Sequence, residues 1–206
     1  MTVSLEDGRR AVALARDTLE AHVKHAKPSR QGGDTGLMAE KRGVFVTLNV
    51  EEAGARRLRG CIGYPEPIKP LGEAIRDVTV YASEDSRFPS PVDPRELDRI
   101  TVEVSILTLP EVLSAPRRQD LPSMIRIGTD GIIVSNRNRS GLLLPQVAAE
   151  QGWDQHTFLA EACEKAGLPM DAWLDGATKV QAFQADIFSE SKPRGDVTRA
   201  DPATRN

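Results

Sequence analysis

The residues with the clearest potential for chemistry lie in one short segment, Arg59-Gly60-Cys61-Ile62-Gly63. The two glycines permit close approaches and backbone conformations that other residues prevent. In an extended chain, Arg59 lies on the same side as Cys61, where a guanidinium would favour the nucleophilic, metal-binding thiolate. Three interpretations follow from these residues. Cys61 is a catalytic nucleophile or thiolate ligand; or Arg59 and the backbone of Gly60, Ile62 and Gly63 bind an anion; or the cysteine is buried in a strand that bulges at its glycines.

Two further charged residues could serve the same site. Glu103 lies on the more polar face of a predicted strand, where its carboxylate could pair with Arg59 or act as a base near Cys61. A solvated strand face or an ion pair with Arg87 explains Glu103 as well. Arg87 follows a predicted helix, where surface pairing explains it about as well as ligand binding does.

The histidines and the second cysteine add little to this site. His156 follows a predicted helix N-cap, where a solvent-facing imidazole is commoner than a Cys–His dyad with Cys61. His22 and His25 lie one turn apart on the first predicted helix, but no nearby cysteine or carboxylate completes a zinc site. Cys163 falls on the apolar stripe of its helix. We therefore predict no metal ion and no cofactor.

Hydrophobic periodicity predicts the elements that position these residues. Helical spacing covers Leu5 to Val23 and recurs after Pro70, Pro145 and Asp154, and strands are predicted at 44–50, 57–62, 100–107, 125–127, 132–135, 142–144 and 180–188. Strands that follow one another through short links, with single helices between them, favour an α+β fold with mixed, largely antiparallel sheets and flanking helices. Residues 1–190 are predicted to form one domain, and the polar stretch 191–206 a disordered tail.

The composition of the chain narrows the function classes. A net charge of −3 over 206 residues provides no general attraction to nucleic acid or an anionic membrane. Apolar runs are too short to span a bilayer, and the first residues lack the apolar stretch of a signal peptide. Two cysteines fit a reducing cytosol, so we predict a cytoplasmic protein. Phosphate-binding, dinucleotide-binding and nucleophile-elbow motifs are not found in the sequence.

Several segments, in the same order along the chain, carry a family resemblance. The hexapeptide Leu58–Gly63, LRGCIG, looks like the hallmark motif of the AMMECR family. Glu84–Pro89 resembles the acidic-Arg-Phe-Pro segment of that family, and Val102–Leu107 resembles the strand that follows it. Gly141–Val147 is similar to the Gly-Leu-Leu-Leu-Pro-Gln block, and Ala166–Leu168 to the end of a late helix.

The resemblance implies more than the residues do by themselves. It implies two unequal, interleaved subdomains with a cleft between them, and it adds Gln146 to the binding residues. At Tyr64, many relatives carry a smaller residue, which would alter the rim of the pocket. Prokaryotic relatives occur with a Memo-like dioxygenase relative and a radical SAM protein, which hints at a modification pathway.

From these observations we predict a ligand-binding or accessory cleft centred on the hexapeptide. The partner would be a small anionic ligand or another protein. The alternatives are an enzyme that uses Cys61 and a protein–protein adaptor.

Overall fold

A computed structural model describes residues 3–27, 34–52 and 54–200. The chain divides into two compact units. The first unit combines the chain up to Leu107 with the segment that begins at Asp186, and the second runs from Thr108 to Ala185. In the described part of the chain, no helix has the length and apolar character needed to cross a membrane.

The elements follow in chain order. The α-helices are α1 (Leu5–Val23), α2 (Leu71–Ser83), α3 (Pro145–Gln151) and α4 (Gln155–Lys165). The strands are β1 (Val44–Glu52), β2 (Ala55–Tyr64), β3 (Ile100–Leu107), β4 (Glu111–Val112), β5 (Gly131–Asn136), β6 (Arg139–Leu143), β7 (Lys179–Phe183), β8 (Ala185–Glu190) and β9 (Val197–Ala200). Short 3-10 helices span Gly36–Ala39, Pro94–Glu96, Arg118–Met124 and Ala172–Leu174. The predicted α+β fold class is confirmed.

The first unit contains a five-stranded sheet in the order β2-β1-β3-β8-β9. Strand β1 pairs antiparallel with both β2 and β3. Alternate residues of β1 are buried on one face, where α2 packs on β1 and β2 and α1 packs on β3. These apolar strand residues and the inward faces of both helices form one hydrophobic core.

A β-bulge interrupts the β1–β2 ladder beside the hexapeptide. Leu48 lies opposite Gly60, but the next residue, Asn49, lies opposite Leu58. Arg59 is therefore an extra residue in β2, and such an insertion redirects its side chain relative to simple alternation.

The second unit contains a four-stranded sheet in the order β4-β7-β5-β6. Helix α4 packs on β5 and β6. It begins at the predicted N-cap, Asp154, whose side chain accepts a hydrogen bond from the Thr157 amide. The helix is followed by Gly167 at a φ of 70°.

Three predicted elements differ from the structure. The strand predicted at 180–188 is two strands, β7 and β8, that belong to different sheets. Residues 125–127 do not form a strand, because Ile125 closes the preceding 3-10 helix by donating to Pro122 O. Part of the stretch 191–206, for which a disordered tail was predicted, forms β9, which pairs with β8 while Arg199 contacts Asp186. Residues 201–206 lie outside the described residues.

A buried ion pair joins three elements of the first unit. Arg16 of α1 donates through Nε to Glu190 Oε1 at 3.0 Å, and through Nη2 to Glu190 and to the carbonyl of Ile100. Glu190 Oε2 also accepts the Val102 amide at 3.0 Å. Both charged side chains are more than nine-tenths buried. Each charge therefore needs the other to offset the free-energy cost of its removal from water.

We predict that Glu190→Ala lowers the free energy of unfolding by about 3 to 5 kcal/mol, because it leaves Arg16 buried without its carboxylate. Urea denaturation measures the change. The control is Glu111→Ala, which removes an exposed glutamate from β4 and should change stability by less than about 0.5 kcal/mol. Equal, small effects of both variants would contradict the role of this pair.

Candidate functional site

Cys61 lies on the face of the first sheet opposite the helix-covered core. Cys61 of β2 is paired with Thr47 of β1, and Thr47 is paired on its other side with Glu103 of β3. Thr47 Oγ1 donates a hydrogen bond to Cys61 Sγ at 3.3 Å. Cys61 and Thr47 are half-buried, and Glu103 is buried. Cys61 and Glu103 thus share a sheet face, but they are two strands, roughly 10 Å, apart, with Thr47 between them.

The peptide of Cys61 is held by side chains that follow α2. Asp85 Oδ2 accepts the Cys61 amide at 3.0 Å, and Arg87 Nη2 donates to the Cys61 carbonyl at 2.8 Å. Since β2 is an edge strand, the carboxylate and the guanidinium take the place that a neighbouring strand would occupy. They also block that edge against pairing with another chain.

Asp85 and Arg87 form a strong ion pair with each other. Arg87 Nε and Nη2 both donate to the carboxylate, at 2.6 to 3.2 Å. The hydrogen bonds from Arg87, with that from the Cys61 amide, hold the pKa of Asp85 well below its usual range although the group is buried. Asp85 in turn raises the pKa of Arg87, and an ionised Cys61 thiol adds to that effect. The cation beside the thiol is therefore Arg87.

Arg59 does not serve the thiol directly, which corrects the role predicted for it. It is 8% exposed and forms a two-pronged ion pair with Glu96, from Nε at 2.9 Å and Nη2 at 3.0 Å. Nη2 also donates to the carbonyls of Ser90 and Pro91, each at 3.0 Å. The guanidinium lies 5.6 Å from the centroid of the Phe88 ring, a cation–π distance. The bulge explains the difference, because Arg59 does not alternate regularly with Cys61.

Three other hexapeptide residues, Gly60, Ile62 and Gly63, pack against other parts of the first unit. A Cβ on Gly60 would lie 2.0 Å from the carbonyl oxygen of Ala82, so the close approach is made by α2. Ile62 packs against the core. Gly63 lies against the Phe45 ring. The Cys61 amide already binds the Asp85 carboxylate, so this amide is not available to another anion.

Other predicted residues lie away from the thiol. Tyr64 packs against the core and its hydroxyl contacts Asp77 at 3.4 Å, so it does not form a rim beside Cys61. His22 Nε2 lies 2.8 Å from Glu84 Oε1. Among residues 3–27, 34–52 and 54–200, no group of three or more metal-ligating side chains could hold an ion.

Three residues named in the sequence analysis belong to the second unit. Gln146 is exposed near the start of α3. The His156 ring meets Trp173 edge-on, with centroids 5.8 Å apart. Cys163 is buried, which raises the pKa of its thiol.

Sequence reasoning missed Thr47 and Glu96, and it considered Asp85 for capping, surface pairing or ligand binding without linking it to Cys61. Thr47 stands on the polar side of an alternating strand, but only the register of the sheet places it opposite the cysteine. Asp85 lies inside the acidic-Arg-Phe-Pro segment, which shows that this segment and the hexapeptide form one physical unit. Glu96 follows Asp93-Pro94 in a capping box, a pattern that indicates a helix start and not an arginine partner.

We predict that Gly60→Ala destabilises the protein by about 1 to 3 kcal/mol, because the new methyl group overlaps the backbone of α2. Thermal or urea unfolding measures the loss. The matched control is Gly176→Ala, since a Cβ there meets nothing within 4 Å. If both alanine variants are equally stable, Gly60 does not set the approach of α2 to β2.

The Asp85–Arg87 pair should make stability depend on pH. Because the folded pKa of Asp85 is depressed, its contribution is complete above its ordinary pKa of 3.8 and is lost as the pH falls through the folded value. Asp85→Asn should therefore lower the free energy of unfolding by about 1.5 to 3 kcal/mol at neutral pH, and the difference from wild type should shrink in acid. Urea denaturation at about pH 7 and about pH 3 tests this, with the exposed Glu66→Gln as control. A difference that does not change with pH would contradict the assignment.

Comparison with known proteins identifies the relatives of this chain. The AMMECR1 family model matches residues 12–188. Protein TK0174 of Thermococcus kodakarensis is 50% identical over 197 residues, covering 94% of this chain and 95% of that protein. A protein of Methanothermobacter thermautotrophicus is 50% identical over 190 residues, covering 91% and 96%.

A solved structure has the same fold. The crystal structure of the uncharacterized protein PH0010 from Pyrococcus horikoshii is 47% identical, covers 97% of this chain and 99% of its own, and superposes with a TM-score of 0.77. The family match, the identities and the structural similarity agree over almost the whole chain. The chain belongs to the AMMECR1 family.

Proposed function

We propose that this protein binds a small anionic ligand at the thiol site, defined as Cys61, Thr47 and Arg87. The observation that carries the proposal is the position of Arg87. Its guanidinium is fixed by the Asp85 carboxylate and the Cys61 carbonyl, yet its side chain is 57% exposed. Donors that are not used by these partners can therefore meet a ligand beside the sulfur.

The chemistry of the site favours anion binding. Thr47 donates to the sulfur, and Arg87 carries a positive charge next to it. Both groups would stabilise negative charge on a ligand or on the sulfur. Thr47 and Arg87 both act as donors toward the sulfur, and the register of the sheet places Thr47 between Cys61 and the Glu103 carboxylate. An environment of donors supports anion binding over general-base catalysis.

Nucleophilic catalysis by Cys61 is the second candidate, and one observation favours it. A hydroxyl donor and a guanidinium at one sulfur are what a reactive thiolate requires. The interdomain cleft, the adaptor role, the cytoplasmic location and the association with Memo-like and radical SAM proteins stay predictions from sequence and resemblance.

The charge of the alkylating reagent tests the proposal. Iodoacetate and iodoacetamide modify thiols in the same way, but only iodoacetate is anionic. We predict that Arg87→Gln lowers the ratio of their rates at Cys61 by about two- to five-fold, the range expected for an exposed charge interaction. Modification of Cys61 is measured by peptide mass spectrometry in a Cys163→Ala background.

The control for this experiment is Arg95→Gln. Arg95 is an exposed arginine nearby in the chain, with a side chain that is 95% exposed, and its replacement should leave the ratio unchanged. An unchanged ratio in Arg87→Gln would overturn the proposal. If iodoacetamide alone reacts with Cys61 much faster than with an unstructured cysteine peptide, the catalytic candidate gains support.

A further inference from the structure

We propose that Arg59 and Glu96 are positioning residues for the thiol site. Their ion pair holds the strap, defined as residues 85–96, so that Arg87 stays beside Cys61. This inference rests on the proposed function, since it assigns a purpose to the residues that orient the ligand-binding guanidinium. It gives Arg59 an indirect role at the thiol.

The strap depends on its attachments for its position. Its regular structure is limited to the 3-10 turn Pro94–Glu96, and prolines at 89, 91 and 94 each remove a backbone donor. Within the strap, Phe88 N donates to Asp85 O at 3.0 Å and Glu96 N donates to Asp93 O at 2.9 Å, and Val92 N donates to Ser83 O of α2 at 2.8 Å. A segment with so few main-chain bonds must be fixed by side chains.

Both ends of the strap attach to neighbouring residues of β2. The first end is bound at Cys61, through Asp85 and Arg87. The far end is bound at Arg59, through Glu96. Arg59 and Cys61 are two residues apart, a span of at most about 7 Å in a strand. The strap is thus a closed loop whose two attachment points lie side by side on the hexapeptide.

The far attachment buries its guanidinium, since the Arg59 side chain is 10% exposed and that of Arg87 is 57% exposed. Arg59 also fixes the middle of the strap through the carbonyls of Ser90 and Pro91. Glu96 accepts the Asp93 amide at 2.8 Å in addition to Arg59. Burial opposes ionisation of Glu96, but these hydrogen bonds outweigh it and lower its pKa. The Glu96 carboxylate therefore fixes both the Arg59 guanidinium and the 3-10 turn Pro94–Glu96.

The consequence for the site follows from the exposure of Arg87. Its side chain is mostly in solvent, so it is held mainly by Asp85 and the Cys61 carbonyl. When Glu96 is lost, the buried Arg59 guanidinium keeps its charge without a carboxylate. The far end of the strap is then released, and the geometry at Asp85 and Arg87 loosens with it.

The experiment uses the same rate ratio of iodoacetate to iodoacetamide at Cys61. Glu96→Ala should lower the ratio by about the same factor as Arg87→Gln. The double variant should show no further decrease, because the two changes remove one interaction. Glu96→Gln keeps an acceptor of the same shape, so its ratio should lie between those of Glu96→Ala and wild type. Glu66→Ala, at an exposed site outside the strap, is the control.

Other outcomes separate the possible failures. If Glu96→Ala raises both rates equally and leaves the ratio at the wild-type value, the ion pair is structural only and this inference is overturned. If Arg87→Gln itself leaves the ratio unchanged, the proposed function is contradicted, and the positioning role that rests on it is contradicted as well. Should Glu96→Ala fail to fold, Glu96→Gln decides the question: it must lower the ratio part of the way toward the Arg87→Gln value, and a wild-type ratio in Glu96→Gln would overturn the inference.

Discussion

The structure around the hexapeptide depends on one interaction, the docking of Asp85 and Arg87 on the peptide of Cys61. An edge strand presents unpaired N–H and C=O groups, and here a carboxylate and a guanidinium satisfy one of each. The ion pair between the two side chains makes this arrangement rigid. It also places a positive charge at a thiol that accepts a hydrogen bond from the Thr47 hydroxyl.

This docking explains why a hexapeptide with a central cysteine contains so many structural residues. Gly60 admits the backbone of α2, Ile62 fills the core, and Arg59 holds the strap. Each of them supports the geometry of the backbone around Cys61. A mutation in the motif can therefore abolish function through packing. Only a measurement at the thiol itself distinguishes a residue that supports the fold around Cys61 from one that acts on the sulfur.

The sequence predicted those parts of the fold that follow from local periodicity. Helix α1 and strand β3 have the predicted bounds because their apolar residues repeat at 3.6 and 2 residues, respectively. The division of the last predicted strand at Gln184 was not predictable, because no proline or glycine marks it. The bulge at Arg59 is also invisible in the pattern, because register is a property of the paired strands. Arg59 pairs with Glu96, and it is Arg87 that binds the Cys61 peptide.

Hydrogen exchange at the Cys61 amide tests the central claim most directly. If Asp85 and Arg87 dock on this peptide, the amide is strongly protected although it lies on an edge strand. Replacing Asp85 with alanine should then remove that protection, while the amides of β3 in the centre of the sheet exchange as in wild type. Rapid exchange of the Cys61 amide in the unaltered protein, or protection that survives the replacement, would contradict the account.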